Sequence, residues 1–190
     1  MLLVVLLIFV LLIQIANIFI SNVTYDWSFI AMLFAGIIIF ALLYVKIGYW
    51  LIKKDFENKK YIRVISKQNC YLAKHTALKN SIYYMVAISY LENNDINSFS
   101  KFVDKIDGKD WYLSKCFLNI IYAIIIGDNV LETKWKDNYS NNSESPLKFR
   151  YDEILVLLQK SRAQKCDWSS DEMKSIESIK IDAIKNLIVD

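Results

Sequence analysis

The chain has few of the residues on which catalytic and metal sites depend. Its 190 residues include one histidine, one proline and four glycines. The glycines stand apart at 36, 48, 108 and 127, so neither common glycine-rich phosphate-binding loop is present. The one histidine, His75, has no partner visible in the sequence for a Ser/His or Cys/His pair, and it cannot form a histidine-based metal cluster. We therefore predict that the protein is not an enzyme and has no catalytic residues, no cofactor and no metal site.

Cysteine is also scarce. Cys70, Cys116 and Cys166 are odd in number, widely spaced and without a C-x-x-C pair. A disulfide framework needs paired cysteines, and a structural metal site needs clustered ones. We expect these three side chains to be reduced and mostly buried in a cytoplasmic domain, where cysteine behaves as a small hydrophobic residue.

Two long apolar runs dominate the first third of the chain. Met1–Ile20 carries no charge, and Phe29–Ile52 carries only Lys46. Each run is long enough to cross a hydrocarbon layer of about 30 Å as a helix. The sequence therefore predicts a transmembrane helical hairpin over residues 1–52.

The predicted spans are about 2–20 and 29–50. A cleaved signal peptide is an alternative for the first run, but it has neither a basic start nor an A-x-A-like cleavage site. These absences favour a retained span. An uncleaved signal anchor that precedes a single functional span is a further alternative.

Positive charge is concentrated just after the second run. Residues 53–74 contain seven Lys or Arg and two acidic residues, a local charge of +5. Because basic residues near span ends stay on the cytoplasmic side, we predict an N-in/C-in integral membrane protein with loop 21–28 outside and 53–190 in the cytoplasm. Membrane lipids are the expected partner of this charge rather than nucleic acid, for which no recognition motif is present. The predicted headgroup contacts are Lys53, Lys54, Lys59, Lys60 and Arg63.

Polar and small residues mark one face of the hairpin. Gln14 and Asn17 lie three residues apart, and therefore share a helix face. Ala31, Ala35 and Gly36 form a small-residue strip on the second span that permits close helix packing. These residues are predicted to pack within the membrane. They either hold the hairpin together or contact another membrane protein.

The remaining chain has helical spacing of apolar residues and no convincing strand pattern. We predict an all-α protein: a basic juxtamembrane helix at 53–75, then a helical domain at 76–190 with a loop near 139–146. The loop is placed in the segment YSNNSESP, which contains the single proline.

Local capping signals divide this domain further. Asp110 is a predicted N-cap and Gly127 a predicted C-cap of an apolar helix over Trp111–Ile126. A buried helix is favoured there over a third span, which would be short and interrupted by polar residues. Ser169 and Glu172 form a predicted capping box at the start of the C-terminal helical stripe.

Two turns of the domain lie 33 residues apart, at Asn94-Asp95 and at Gly127-Asp128. Each ends an apolar helical pattern and begins a shorter one. Helical hairpins that repeat at about 34 residues resemble tetratricopeptide repeats. The resemblance extends over residues 77–139 and implies a stack of antiparallel α-hairpins.

Individual positions agree with that family only in part. Ala87 stands where two helices must pack closely, whereas Phe99 replaces the small residue that the family usually has. The resemblance implies a concave face that binds proteins. Carried over to this chain, the partner-binding groove comprises Tyr84, Ile88, Leu91, Phe117, Ile121 and Ile124.

The same six residues have a simpler alternative interpretation as core, covered by the C-terminal hairpin or by the juxtamembrane helix. The function predicted from the sequence is a membrane-anchored helical adaptor or scaffold that binds a protein partner. Two alternatives remain open. One is an accessory or immunity-type membrane protein whose hairpin engages a channel, transporter or peptide toxin; the other is a membrane-associated sensor of a peptide or lipid.

Overall fold

The computed structural model describes residues 27–141, 147–163 and 167–189; for 27–33 and for His75 it describes the backbone alone. Every regular element in these three segments is a helix, and none is a strand. The prediction of an all-α protein is therefore confirmed.

The chain divides into two compact units, Met1–Lys46 and Ile47–Asp190. A 3₁₀ turn at Lys109–Trp111 accompanies the α-helices. The α-helices of the described segments are α1 Trp27–Glu57, α2 Tyr61–Ser66, α3 Tyr71–His75, α4 Lys79–Glu92, α5 Ile96–Asp104, α6 Tyr112–Ile126, α7 Asn129–Ser140, α8 Lys148–Arg162, α9 Ser170–Ser178 and α10 Asp182–Val189.

One stretch of α1, from Phe34 to Glu57, is long and apolar enough to cross a membrane, although a signal sequence has the same properties. Its large apolar side chains are mostly exposed, as a lipid-facing helix requires. The candidate span overlaps the second run predicted at 29–50. The first predicted span, at 2–20, lies outside the described residues.

The sequence pattern predicted one helix over the juxtamembrane segment 53–75. The structure instead divides this segment among three helices. Helix α1 ends at Glu57, and Lys59 takes a left-handed conformation with φ of 55°. The chain then folds back through α2 and α3, which both pack on α4. The reason is burial: the fold-back brings Val64 to 0% exposure and Leu72 to 4%, which a straight charged helix would not allow.

Helices α4 and α5 form one antiparallel hairpin, and α6 and α7 form a second. Their turns have the same construction. A residue in left-handed conformation ends the first helix, Asn94 with φ of 58° and Gly127 with φ of 72°. The backbone N–H of the next residue then reaches back five positions to a carbonyl, at 3.0 Å in both turns. This is the hydrogen bond that closes a Schellman-type helix end.

An aspartate begins the second helix in both hairpins. The Asp95 carboxylate accepts a bond of 3.0 Å from the N–H of Ser98, and the Asp128 carboxylate one of 2.9 Å from the N–H of Leu131. These bonds satisfy helix N–H groups that have no partner within the helix. The two turns that the sequence placed 33 residues apart therefore share their backbone and side-chain hydrogen bonds.

One local prediction is wrong, and the start of one predicted loop shifts by two residues. Asp110 is not the N-cap of α6, because the 3₁₀ turn precedes the helix and its N-cap is Trp111, without a side-chain cap bond. The loop predicted near 139–146 begins later, because α7 continues to Ser140. Its penultimate residue, Tyr139, is buried and donates a hydrogen bond of 2.8 Å to Asp152 on α8, which extends the helix. Residues 142–146 lie outside the described segments.

The capping box at Ser169 and Glu172 is confirmed, with both of its reciprocal hydrogen bonds present. The C-terminal stripe is nevertheless two helices, since the backbone becomes extended at Ile179. This break turns α10 back, so that it packs on both α8 and α4. Ile184 and Ile188 of α10 are buried.

The return of α10 to α4 distinguishes this domain from an open stack of repeats. In an open stack each repeat contacts only its neighbours, and a third unit would extend beyond the second hairpin. Here the last helix reaches the first helix of the first hairpin. The C-terminal helices therefore close the domain instead of lengthening it.

Candidate protein-binding face

Four of the six predicted groove residues are buried in the chain's own core. Ile88, Leu91, Phe117 and Ile121 are at most 4% exposed. Tyr84 and Ile124 are half-buried. The structure thus brings the six residues together in the core of the two hairpins, where helices of the same chain cover most of them.

Tyr151 of α8 fills the middle of this face. Its ring stacks on that of Phe117, with centroids 4.2 Å apart and planes inclined by only 6°. Its hydroxyl lies 3.0 Å from the hydroxyl of Ser114, also buried. Tyr151 also lies near enough to Tyr84 to raise its pKa. One aromatic side chain from the C-terminal region therefore joins both hairpins, and it is itself 7% exposed.

Tyr84 lies where the two hairpins and α8 meet. Its ring centroid is 6.0 Å from that of Trp111, at the start of α6. Burial, with the neighbouring Tyr151, raises the pKa of Tyr84 far above its usual value. The side chain is therefore a neutral phenol at physiological pH, suited to hydrogen bonding and apolar packing rather than to acid–base chemistry.

The start of α10 closes the other end of the face. The N–H of Ala183 donates a hydrogen bond of 3.2 Å to the carboxylate of Glu92, the last residue of α4. The adjacent Asp182 forms an ion pair with Lys59, from the turn after α1. A carboxylate at the start of a helix is favourable because it accepts from free N–H groups and opposes the helix dipole. Glu92 thus caps a helix that lies far along the chain.

The pKa values of two side chains at this end of the face, Glu92 and Tyr61, are raised. Burial raises the pKa of Glu92, and the nearby Asp182 adds to that effect, against the opposing hydrogen bonds from the α10 backbone. Burial also raises the pKa of Tyr61 to about 12, with Glu92 and Asp182 contributing. This end of the face is therefore an acidic, partly desolvated cluster with Lys59 as the cation that faces it.

A half-open cleft of about 310 Å³ lies between α6, α7 and α8. Ile124, Leu155 and Leu158 form its apolar wall. The polar part centres on Glu132, whose carboxylate pairs with Lys136 and Arg162, each at 2.6 Å. The complete lining is Ile124, Glu132, Lys136, Leu155, Leu158, Gln159, Arg162 and Ala163.

Glu132 is the one carboxylate of the described residues that is buried, at 6% exposure. Its burial would raise its pKa, but the hydrogen bonds from Lys136 and Arg162 outweigh that effect and lower the pKa. Arg162 also donates to the side chain of Asn129, at 3.3 Å. This network joins the ends of α7 and α8, and all three charges are satisfied within the chain.

The residues predicted to pack within the membrane are only partly described. Gln14 and Asn17 lie outside the described segments, and Ala31 is described by its backbone within α1. Ala35 is exposed and Gly36 half-buried. Their packing in a hairpin therefore stays a prediction.

The basic residues predicted at lipid headgroups occupy several environments. Lys53 pairs with Glu57 at 3.7 Å, and Lys54 lies 4.8 Å above the ring of Trp50. Lys59 pairs with Asp182. The remaining two, Lys60 and Arg63, are exposed.

The five basic residues also fall into two groups along the chain. Lys59, Lys60 and Arg63 all follow the end of α1 at Glu57. Lys53 and Lys54 lie on α1 itself, in the last two turns of the helix.

Cysteine and metal-ligand chemistry is limited in the described segments. Cys116 is buried and free, and burial raises its pKa, which disfavours the reactive thiolate. Cys70 is free and half-buried, and Cys166 lies outside the described residues. Among the residues that the structure describes, no three His, Cys, Asp or Glu side chains come together as a possible metal site.

Sequence reasoning missed the residues that organise this face. Tyr151 appeared only as one member of an apolar stripe, and nothing local distinguishes it from its neighbours. Glu92 appeared only as part of a helix-breaking turn. The partners of these residues lie 37 and 91 positions away, at Ser114 and Ala183. Separations of this size leave no periodic signal in a single sequence.

Comparisons of the chain with protein-family models, with curated proteins and with solved structures find no match.

Proposed function

We propose that this protein is a membrane-anchored helical adaptor that recruits a protein partner through residues 53–190. The observation that carries the proposal is the continuity of α1. Its exposed apolar stretch runs without a linker into a helical domain, where Ile52 is 4% exposed and Tyr49 shares a hydrogen bond of 2.8 Å with Ser81. An anchor built into a domain in this way raises the effective concentration of that domain toward other membrane-bound proteins.

The anchor in this proposal is a two-span hairpin with both ends in the cytoplasm. The length and apolar composition of Met1–Ile20 support the first span, and the local charge of +5 over residues 53–74 supports the orientation. Cysteine-accessibility mapping in intact cells tests this topology. Labelling from outside is expected in the loop at 21–28 and not at Val130, which is 82% exposed on the helical domain.

The partner-binding surface in this proposal is the concave face of a tetratricopeptide-like pair of hairpins. The matched turns of the two hairpins support this likeness. In the free protein the face is covered by α8 and α10, each of which buries apolar side chains. We take the partner to be an amphipathic helix that binds in their place, since a groove that accepts one apolar helix face suits another.

A photoreactive benzophenone residue at position 84 tests this surface in full-length protein in native membranes. The expected result is a covalent adduct with one protein. The yield should increase several-fold in Tyr151→Leu, which weakens the covering of the face. Phe149→Leu is the matched control, because Phe149 is two positions away on α8 and 81% exposed. It should leave the yield unchanged.

Two outcomes contradict the adaptor. The first is the absence of any protein adduct at position 84 in the parent and in Tyr151→Leu, when limited proteolysis shows both to be folded. The second comes from a chain whose residues 1–52 are replaced by an unrelated two-span hairpin. If that chain inserts normally but no longer captures the partner, the hairpin itself engages the partner, as in an accessory or immunity-type protein.

A further inference from the structure

Helix α3 lies against the backbone of α1 at Gly48. A Cβ atom at this glycine would be 2.7 Å from Cδ1 of Leu72, closer than side chains normally approach. The absence of a side chain at Gly48 thus allows α3 to approach α1 closely. The next residue, Tyr49, is held by its hydrogen bond to Ser81 at the start of α4. Two contacts therefore fix α3 and α4 beside this turn of α1.

The contact at Gly48 lies close to the apolar stretch along the chain. Lys46 can extend its ammonium group to the interface, so we place the end of the hydrocarbon segment near Val45. Three helical residues advance the backbone by only about 4.5 Å. The polar layer on each side of a bilayer is about 5 Å thick or more. Leu72 therefore touches a residue that lies at headgroup depth for any tilt of the helix.

The outer side of α3 carries the residues that suit this depth. Leu72 and Ala73 point inward and are 4% and 0% exposed. Tyr71 is 61% exposed, and Lys74, three positions later on the same side, is also exposed. Tyrosine is enriched at the membrane interface, and lysine extends its ammonium group toward phosphate from there.

Helix α1 presents a similar pair at the same level. Trp50 is 54% exposed, with the ammonium group of Lys54 4.8 Å from its ring centroid. By contrast, Lys59 follows the end of α1 at Glu57, which is about 13 Å farther along the helix than Gly48. Lys59 is also neutralised by Asp182. Headgroup contact is therefore better supported at α3 than beyond the end of α1.

We propose that α3 is a second membrane-contacting element, with Tyr71 in the interface and Lys74 against the phosphates of anionic phospholipids. The membrane is the occupant that the charge indicates, because residues 53–74 carry +5 and anionic lipids attract such segments. With α1 as the first contact, α3 fixes how the helical domain is oriented on the membrane. This inference rests on the proposed membrane anchor.

Photo-crosslinking in nanodiscs tests the contact with the full-length protein. A benzophenone residue is placed at position 71, 50 or 130 in separate samples, in discs of phosphatidylcholine alone or mixed with phosphatidylserine. The expected result is a phospholipid adduct at 71 and 50, with a yield several-fold above that at 130. In the mixed discs Lys74→Glu should lower the yield at 71 to that in phosphatidylcholine discs, and leave the yield at 50 unchanged.

The outcomes separate this inference from the anchor on which it rests. An adduct at 50 with none at 71 overturns the contact at α3 and leaves the anchor intact. The absence of adducts at both 50 and 71 overturns both proposals. Equal yields at 71 and 130 show that labelling at 71 is collisional, and overturn the inference about α3.

Discussion

The ring of Tyr151 lies flat on the ring of Phe117, with centroids 4.2 Å apart and planes inclined by 6°. The two residues belong to different parts of the domain, Phe117 to the second helical hairpin and Tyr151 to the C-terminal helices. Aromatic pairs of this kind contribute beyond the area that they bury. The stack is therefore one of the contacts that attach the C-terminal helices to the hairpin pair.

The first prediction concerns this stack. Phe117→Ala should lower the free energy of unfolding by about 3–5 kcal/mol, because it leaves a cavity in a closely packed core. Tyr151→Phe keeps the stack and removes the hydroxyl bond to Ser114, so it should cost about 1 kcal/mol. Chemical denaturation of the full chain in detergent measures both.

The control for this pair is Phe149→Ala, which removes the same ring from the exposed side of α8. It should change stability by less than about 0.5 kcal/mol. If Phe117→Ala is as mild as Phe149→Ala, Phe117 is not part of the core, and an open groove becomes the better description of that face.

The second prediction concerns the cap of α10. Glu92→Ala removes the acceptor of the Ala183 N–H and should cost about 1 kcal/mol at neutral pH. Glu92→Gln keeps an acceptor oxygen and removes a charge that burial disfavours, so it should be at least as stable as the parent. Denaturation curves of the three proteins at neutral pH compare them directly. Equal losses in both variants would show that the negative charge, rather than the hydrogen bond, is needed.

The pH dependence of Glu92 has a definite sign. Burial raises its pKa above the reference value of 4.5, so the folded state binds its proton more tightly than the unfolded state. Stability from this group therefore increases as the pH falls through the folded pKa toward 4.5, and decreases as the pH rises. The difference in stability between the parent and Glu92→Gln should vary across this window and be constant well above it.

The third prediction concerns the buried ion pairs of Glu132. Glu132→Gln should lower the free energy of unfolding by about 2 kcal/mol, because two charge-assisted hydrogen bonds are weakened in a buried site. Its pKa is lowered in the folded state, so this contribution is fully present above 4.5 and is lost as the pH falls through the folded pKa. The parent and the variant should therefore converge in acid.

A matched control for Glu132 is Asp171→Asn. Asp171 pairs with Lys174 at 3.2 Å, but the two side chains are 93% and 72% exposed. Exposed pairs of this kind contribute little, so no measurable change is expected. A loss at Asp171 equal to that at Glu132 would contradict the importance that we give to burial.

The fourth prediction concerns the matched turns of the two hairpins. Asp95→Ala and Asp128→Ala should each cost about 1 kcal/mol, since each removes a side-chain N-cap. Asp110→Ala should cost less than about 0.5 kcal/mol, because Asp110 is exposed and does not cap α6. Thermal unfolding of the three variants ranks them. A loss at Asp110 as large as those at the true caps would show that the sequence prediction of its role was correct.

The local helix signals were predictable because their partners are close in the chain. The capping box needs only Ser169 and Glu172, and the C-cap needs only Gly127, whose lack of a side chain suits φ of 72°. The prediction that Asp110 is the N-cap of α6 was wrong. A 3₁₀ turn takes up the three residues before α6, so Trp111 and not Asp110 is at the N-cap position.

The segment after α1 shows where periodicity misleads. Residues 53–75 have apolar side chains at helical spacing, which predicts one continuous helix. The fold-back through α2 and α3 preserves that spacing within each short helix while it buries Val64 and Leu72. A helical pattern does not reveal a turn when the turn residue is a lysine that takes a left-handed conformation, as Lys59 does.

The sequence by itself determined the apolar stretch of α1, the all-helical class and the two matched turns, because composition, spacing and caps depend on residues near one another in the chain. Only the tertiary structure decided what covers the predicted groove. Tyr151 reaches Ser114 over 37 residues, and Glu92 meets Ala183 over 91. These contacts arise because α10 must bury Ile184 and Ile188, and the space beside α4 allows it to do so.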